Sequence, residues 1–323
     1  MPLPLVVVGS INADLYVEID RLPLPGETIS GANAAMRPGG KGANQAGAAA
    51  RLGYPTQLIA QLGDDAYGPV LLQALILAGV DLAGVASVPG PSGQALILLQ
   101  GSGENSIVIV GGANQVWREL PASAQRTIAG GGALLLQREI PEAVSLGAAR
   151  CAQQAQVPVV LDAGGVDAAL APELLQLVSC LSPNESELAR LTGMPTDSDE
   201  AVLAAARHLK RHGVASVLVK LGSRGALLLT PDGEVIHHDA YPVTVVDTTG
   251  AGDCFTAAYA VAMLEGRPPA KRLRFACAAA ALCVGVKGAL PSMPDREAVN
   301  EFLRLQVPPS PSSMLPRLGR SGS

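Results

Sequence analysis

Asp253 closes the heptapeptide Asp247-Thr-Thr-Gly-Ala-Gly-Asp253, and the helical run Cys254–Leu264 follows it. Glycines at 250 and 252 let the backbone bend and approach a ligand closely. The first amides of the following helix then point unpaired N–H groups into the turn, which makes an anion site. A carboxylate held beside bound phosphate has an evident use, the removal of a proton from an attacking hydroxyl. The same residues also fit a plain helix start, where the helix dipole favours an acid in the first turn.

A second cluster, Pro38-Gly-Gly-Lys-Gly-Ala-Asn-Gln45, opens the helical run Lys41–Leu52. Three glycines at a helix start cost helix propensity, so a close approach explains them better than a bare turn does. Lys41 and Asn44 would face the same cleft. A third, Gly9-Ser-Ile-Asn-Ala-Asp14, follows the first apolar run, and its Asn12 and Asp14 can exchange hydrogen bonds at a strand's carboxyl end. In Pro183-Asn-Glu-Ser-Glu187, Asn184 caps a helix and Glu187 lies one turn on, a capping box that requires no function by itself. Leu221-Gly-Ser-Arg-Gly-Ala226 is a glycine-rich turn between two strands. His208 and His212 stand four apart on a helix but have no nearby carboxylate, so a metal site is not expected there. The cysteines read as small buried hydrophobes, with only Cys254 adjacent to a reactive position.

Several function classes fall away. No P-loop occurs, since Gly40-Lys41 is followed by Gly42 and Ala35 replaces the first glycine; no G-x-G-x-x-G or G-x-S-x-G occurs either. A net charge of −5 argues against nucleic-acid binding. The longest nearly unbroken apolar run, Ala276–Val286, is eleven residues, against about 20 for a membrane span. Five cysteines without a C-x-x-C pair argue against a disulfide framework or structural zinc. The start, MPLPLVVVGSINAD, has no charged segment followed by a long apolar one, so no signal peptide is expected. A soluble protein of a reducing, cytoplasmic compartment is the expectation.

The elements that must hold these residues alternate. Leu5–Gly9, Gln57–Leu62, Ala133–Gln137, Pro158–Asp162, Val178–Ser182 and Ser216–Leu221 read as buried strands. Between them lie helical runs around Lys41–Leu52, Ala66–Ala78, Pro141–Gln156, Asn184–Thr192 and Ser198–His212. This order predicts a parallel sheet covered by helices on both faces. Ala226–Thr230, Val235–His238 and Val243–Val246 read as successive antiparallel strands, before helices from Ala251 and Pro268. Tyr16–Ile19 with Thr28–Ala35, and Gly93–Leu99 with Ser106–Val110, break the rhythm and could form a small subsidiary sheet; edge hairpins are the alternative. Ligands bind beyond the carboxyl ends of strands in open α/β sheets, so a sheet placed there would act as a lid. Pro308–Ser323, rich in Pro and Ser, is predicted to be a disordered tail after a single domain spanning 1–307.

Taken together and in this order, the motifs are similar to those of the phosphofructokinase-B-type carbohydrate kinases, from about Leu5 to Leu305. Asp247–Asp253 is specific for that family, and Gly9–Asp14 and Gly39–Gln45 together point to ribose. The resemblance implies an α/β three-layer sandwich with a mostly parallel central sheet and a small β-sheet lid from about 12–38 and 90–112. It implies ATP-dependent phosphorylation of D-ribose at its primary 5-hydroxyl. Asp253 would be the catalytic base, and Gly250, Ala251 and Gly252 the amides around the transferred phosphoryl group. Asn12, Asp14, Gly40, Lys41, Asn44 and Glu139 (in Leu136-Gln-Arg-Glu139) would line the sugar pocket.

Leu221, Gly222, Ser223, Arg224, Gly225 and Ala226 would run beside the nucleotide, with Asn184, Gly252 and Cys277 on the same side. Many family members carry Asn or His at the position of Cys277, near the adenine pocket. Glu187 would organise Mg2+ through water. A K+ loop would fall on Asp247, Thr249, Cys283, Val286, Gly288 and Ser292, mostly through carbonyl oxygens. The implied partners are the sugar, ATP and a second copy docked through the lid, with neither nucleic acid nor membrane. A kinase for fructose or a ketodeoxy acid, and a catalytically silent sugar-binding regulator, are the competing readings; an intact Asp253 and glycine turn speak against silence.

Overall fold

A computed structural model of the chain describes residues 2–101 and 104–306. In chain order the elements are β1 (Leu5–Val8), β2 (Asn12–Ile19), β3 (Asn33–Gly39), α1 (Lys41–Arg51), β4 (Thr56–Gly63), α2 (Gly68–Leu77), β5 (Asp81–Val88), β6 (Gly93–Gln100) and β7 (Asn105–Val110). Then come α3 (Ala122–Ala129), β8 (Ala133–Arg138), α4 (Glu142–Gln154), β9 (Val159–Gly165), α5 (Pro172–Leu177), β10 (Cys180–Ser182), α6 (Glu185–Thr192) and α7 (Asp199–Arg211). The rest are β11 (Ser216–Lys220), β12 (Ala226–Leu229), β13 (Val235–His238), α8 (Ala251–Leu264), α9 (Pro269–Cys283) and α10 (Arg296–Leu305).

Nine strands form one sheet in the order β13-β12-β11-β10-β9-β8-β1-β4-β5. Pairing is parallel from β11 through β5, whereas β12 and β13 run antiparallel at one edge. Strands enclosed on both faces are apolar throughout, as in LVVV of β1 and ALLL at the start of β8. Their side chains alternate between two cores. Leu5, Val7, Leu135 and Val160 pack with α1, α2, α8, α9 and Val299 of α10, whereas Val6, Val8, Leu134, Leu136 and Leu161 pack against α3 to α7. The result is a helix–sheet–helix sandwich, and each fully buried leucine contributes roughly 1.5–3 kcal/mol of burial. Alanines at 43, 46, 48 and 49 of α1 and at 257, 258 and 260 of α8 are buried and let these two helices approach closely.

A separate four-stranded sheet has the order β3-β2-β6-β7. It is the subsidiary sheet expected, with shifted bounds. β2 begins at Asn12 rather than Tyr16, and the strand expected at 28–35 is instead β3, which ends at Gly39. β3 carries Pro38 opposite Ala13 without breaking, because it is an edge strand and its outer side needs no ladder donor.

One expected strand is absent. Segment 243–246 is β-branched but has no strand neighbour; instead the Val246 and Asp247 amides donate to the Val284 carbonyl at 2.8 and 3.1 Å. Strand β5 and helices α3, α5 and α10 add to the elements expected. The expected tail at 308–323 lies outside the described residues.

Candidate active site

The loops after β1 and β8, the end of β9 and the last residue of β11 meet over one end of the large sheet, and β2 of the small sheet starts there at Asn12. α8 aims its N-terminus into the same crevice. Gly250 occupies the left-handed region at φ 77°, which a Cβ would disfavour, and no side chain caps the helix. The Ala251 amide is bonded to the Thr248 carbonyl at 3.2 Å, whereas the amides of Gly252 and Asp253 have no partner among the described residues. Of the three expected turn residues, Ala251 is thus partly engaged by its own loop.

Asp253, in the first turn of α8, is only 5% exposed. Asn44 Nδ2 donates to its Oδ2 at 2.9 Å and Gln45 Nε2 to its Oδ1 at 3.2 Å. Lys41 Nζ lies 3.7 Å from Oδ1. Gln45 is fixed in turn by Gln137 Nε2, which donates to Gln45 Oε1 at 2.7 Å. Burial raises the Asp253 carboxyl above the ordinary range, with Lys41 pulling it down and Asp162 pushing it further up. Lys41 is held above its usual value, foremost by Asp253. The Asp253 carboxylate is therefore held in the first turn of α8 by an ammonium and two side-chain amides.

The expected sugar-side residues converge. Glu139 Oε2 accepts from Ser10 Oγ at 2.6 Å and from the Lys41 amide at 2.9 Å, which ties β8 to the start of α1. Asn12 Oδ1 accepts from Asn114 Nδ2 at 2.7 Å, and Asn114 also brackets the backbone of Ile11. Asp14 is 7% exposed and stands against Gly39, where a Cβ would come within 2.0 Å of its Oδ2. Gly40, at φ 89°, passes so close to Asn12 that a Cβ would lie 2.8 Å from that residue's amide nitrogen. Burial, then the charges of Glu139 and Asp253, push the Asp14 carboxyl up to about 7.

On the other side of the α8 turn opens a cavity of about 620 Å³. Gly222, Ser223, Gly225, Gly252 and Cys277 line it, with Tyr241, Val243 and Phe255 supplying apolar walls. Burial pushes the Cys277 thiol up to about 12, so it presents an uncharged surface. Leu221 and Ala226 are buried in the core, and Arg224 turns to Glu185 and Asp199, so these three do not line the cavity. Asn184 and Glu187 form the capping box of α6: Asn184 Oδ1 accepts from the Glu187 amide and Glu187 Oε2 from the Asn184 amide, both at 2.8 Å.

Among the expected cation-loop residues, Asp247 is the hub. Its Oδ1 accepts from the Thr249 amide and hydroxyl at 2.9 and 2.6 Å, and its Oδ2 from the Gly288 amide at 2.8 Å. Burial raises its carboxyl, but these donors outweigh burial and hold it below the usual range. Cys283 Sγ lies 3.0 Å from Ser292 Oγ, whose proton goes to the Ala289 carbonyl at 2.7 Å. The Val286 amide donates to the Cys283 carbonyl at 3.2 Å, and its side chain is exposed. His208 and His212 merely stack, at 4.3 Å between ring centroids, and among the described residues no three metal-ligating side chains cluster.

Motif reading missed Gln45 as a partner of Asp253, Gln137 behind it, and the buried pair Asp162–Lys220. Gln45 sat inside a quoted motif. The signal for the other pair was faint, a charged residue ending each of two apolar strands.

The crevice can be set beside known proteins. A family model described as pfkB family carbohydrate kinase matches residues 3–296. The chain is 51% identical over 310 residues to the ribokinase of Arabidopsis thaliana, covering 94% of this chain and 82% of that protein. It is 36% identical over 301 residues to the ribokinase of Haemophilus influenzae, covering 93% and 98%. A solved structure of Arabidopsis thaliana ribokinase complexed with ribose and ATP superposes with a TM-score of 0.92 at 50% identity, over 95% of this chain and 100% of that one.

Proposed function

The chain belongs to the pfkB family of carbohydrate kinases, and on that premise we propose that it transfers the terminal phosphoryl group of ATP to the primary 5-hydroxyl of D-ribose. One observation carries this reading. Asp253, hydrogen-bonded to Asn44 and beside Lys41, sits at the junction between a polar pocket and the cavity that begins at the Gly252 turn. The likeness to ribokinases over nearly the whole chain supports the same substrates.

Asn12, Asp14, Gly40, Lys41, Asn44 and Glu139 hold the sugar, with hydroxyl recognition through Asp14 and Glu139 rejecting analogues that lack a hydroxyl. Asp253 takes the proton of the 5-hydroxyl as that oxygen attacks. The amides at Gly250–Gly252, led by Gly252, stabilise charge on the phosphoryl group in flight. Positioning and electrostatics suffice, since phosphoryl transfer asks little covalent chemistry of the protein. The nucleotide lies in the cavity of about 620 Å³, past Gly222, Ser223, Gly225 and Cys277.

Two ions belong to the reading. Mg2+ keeps several waters and rests on few carboxylates plus phosphates; Glu187, whose Oε2 serves the capping box with Asn184 beside it, fits a water-mediated role. When bound, Mg2+ neutralises phosphate charge. For K+, the donor set is oxygen-rich: carbonyls of the 247–249 and 283–292 segments and the Ser292 hydroxyl. The Asp247 carboxylate is taken up by three donors, so it orients the loop and lends charge. Bound K+ would hold the carbonyls of the loop entering the Gly250 turn.

The small sheet is proposed as a lid and as the seat of a homodimer. Ile107, Val108, Ile109 and Val110 of edge strand β7 are all exposed, an apolar edge of the kind that a partner normally covers. A cytoplasmic location accords with five free cysteines; no helix among the described residues is long and apolar enough to cross a membrane. The testing experiment is ADP release with D-ribose, with and without potassium. Ribose-dependent release is expected; release with fructose or a ketodeoxy acid but not ribose, or none with any sugar, would overturn the reading.

A further inference from the structure

Asp162 is wholly buried at this end of the sheet, and the mechanism above leaves it unused. Its Oδ2 receives Lys220 Nζ and Thr256 Oγ1, both at 2.8 Å, and its Oδ1 the Gly164 amide at 2.9 Å. Thr256 belongs to α8, so the carboxylate ties the end of β11 to the helix that begins at the Gly250 turn. A buried ion pair is poor evidence of stabilisation, because desolving both charges offsets their attraction. Lys220, however, is not sealed in. Its side chain is 13% exposed, lines the 620 Å³ cavity, and places Nζ 3.7 Å from where a Cβ on Gly252 would be. The Gly252 turn and the Lys220 ammonium therefore face one point, while Lys41, 3.7 Å from Asp253 Oδ1, adds a second positive charge that also acts on Asp162.

We infer that Lys220 is a catalytic residue of the nucleotide side, its ammonium touching the phosphoryl group in transit, and that Asp162 is the positioning residue that aims it. This rests on the ATP-dependent phosphorylation proposed above. In the step, the sugar oxygen forms a bond to the terminal phosphorus, the bond from that phosphorus to the bridging oxygen of ATP breaks, and the hydroxyl proton passes to Asp253. Lys220 keeps its proton throughout and acts by charge alone. Its partnership with Asp162 fixes the ammonium before the reaction, which is what makes such a charge effective.

The test uses the full chain with Lys220→Met, Lys220→Arg and the double variant Lys220→Met/Asp162→Asn. Folding is checked by circular dichroism, nucleotide affinity by calorimetry, and turnover with D-ribose and MgATP. Lys220→Met and the double variant should each lose about 10²–10³ in kcat, the scale for one preorganised donor. ADP, which lacks the terminal phosphate, should bind within about threefold of wild type, and Lys220→Arg should recover part of the rate. The double variant guards against misfolding, because it removes both charges rather than orphaning one. A folded double variant with near wild-type kcat, or an equal loss of ADP affinity, would overturn the proposal. So would failure of both Met variants to fold, which would assign the pair to structure. An inactive wild type would instead remove the reading beneath it, and is a distinct result.

Discussion

Asn44 Nδ2 donates to Asp253 Oδ2 across a sequence separation of 209 residues, and with Gln45 and Lys41 it joins the start of α1 to the first turn of α8. A side chain assigned to the proposed sugar pocket thereby also orients the proposed base. Asp253→Asn would keep the shape but put an amide where two amide donors and an ammonium converge. A loss of roughly 10²–10⁴ in kcat is expected, with sugar affinity within a few-fold. Near-normal turnover in a folded Asp253→Asn protein would withdraw the base assignment.

Asp14 supplies a pH prediction. Its carboxyl, raised to about 7 by burial and by Glu139 and Asp253, is protonated in much of the free protein near neutrality. A sugar hydroxyl donates best to the ionised form, so ribose affinity should improve as pH rises from about 6 to 8, with proton release on binding. Calorimetry in two buffers of different ionisation enthalpy measures that release. Flat affinity over this range would contradict it.

The same group makes a stability prediction of opposite sign. Because the folded state holds the Asp14 proton more tightly than the unfolded chain, with a pKa of about 7 against 3.8, the contribution is full below 3.8 and lost as pH rises through 7. The ionised form is disfavoured by on the order of 4 kcal/mol at most. Asp14→Asn should therefore raise the melting temperature of the sugar-free protein at pH 8 and weaken ribose binding. A lower melting temperature at pH 8 would show that the carboxylate is structurally required.

Asp247 tests the cation loop. Potassium should raise kcat/KM, and sodium, smaller for the same cage, should do less. Asp247→Ala should abolish the response and leave a residual rate, since Asp253 is untouched. Titration at fixed ionic strength separates this from screening. Equal activity in potassium, sodium and a bulky organic cation would remove the cation site while leaving the kinase reading in place.

For the lid, light scattering should give twice the chain mass, and Val108→Lys on β7 should shift it to that of one chain. A wild type that scatters as a single chain at all concentrations would reject the homodimer.

Much of this was legible in the sequence. The runs at 5–9, 57–62 and 133–137 announced central strands because both their faces are buried, which leaves no polar alternation to confuse them. The glycine motifs announced the candidate site because close backbone approach restricts residue choice at fixed spacing. β5 escaped notice for the converse reason: DLAGVASV is small and half exposed at a sheet edge, so it carries little apolar signal. Segment 243–246 misled because β-branched residues favour extended chain whether or not a neighbouring strand exists. Asp162 and Lys220 were invisible as a pair, because 58 residues separate them and only the parallel order β9-β10-β11 brings them near. Spacing rules read local geometry, and this contact is made by topology.

Strand β1 lies between β4 and β8, with Leu5 opposite Thr56 on one side and Ala133 on the other. During synthesis β1 therefore waits with its edge toward β8 unpaired until residue 133 has emerged. At roughly 5–20 residues per second that interval is on the order of ten seconds, during which LVVV is free to pair with a neighbouring nascent chain. Asp253 emerges later still. Substitutions that slow helix α3 or strand β8 should therefore reduce the yield of soluble protein before they alter any property of the finished enzyme, and the damage should be relieved by lower temperature or a chaperone that shields the ribosome-bound chain.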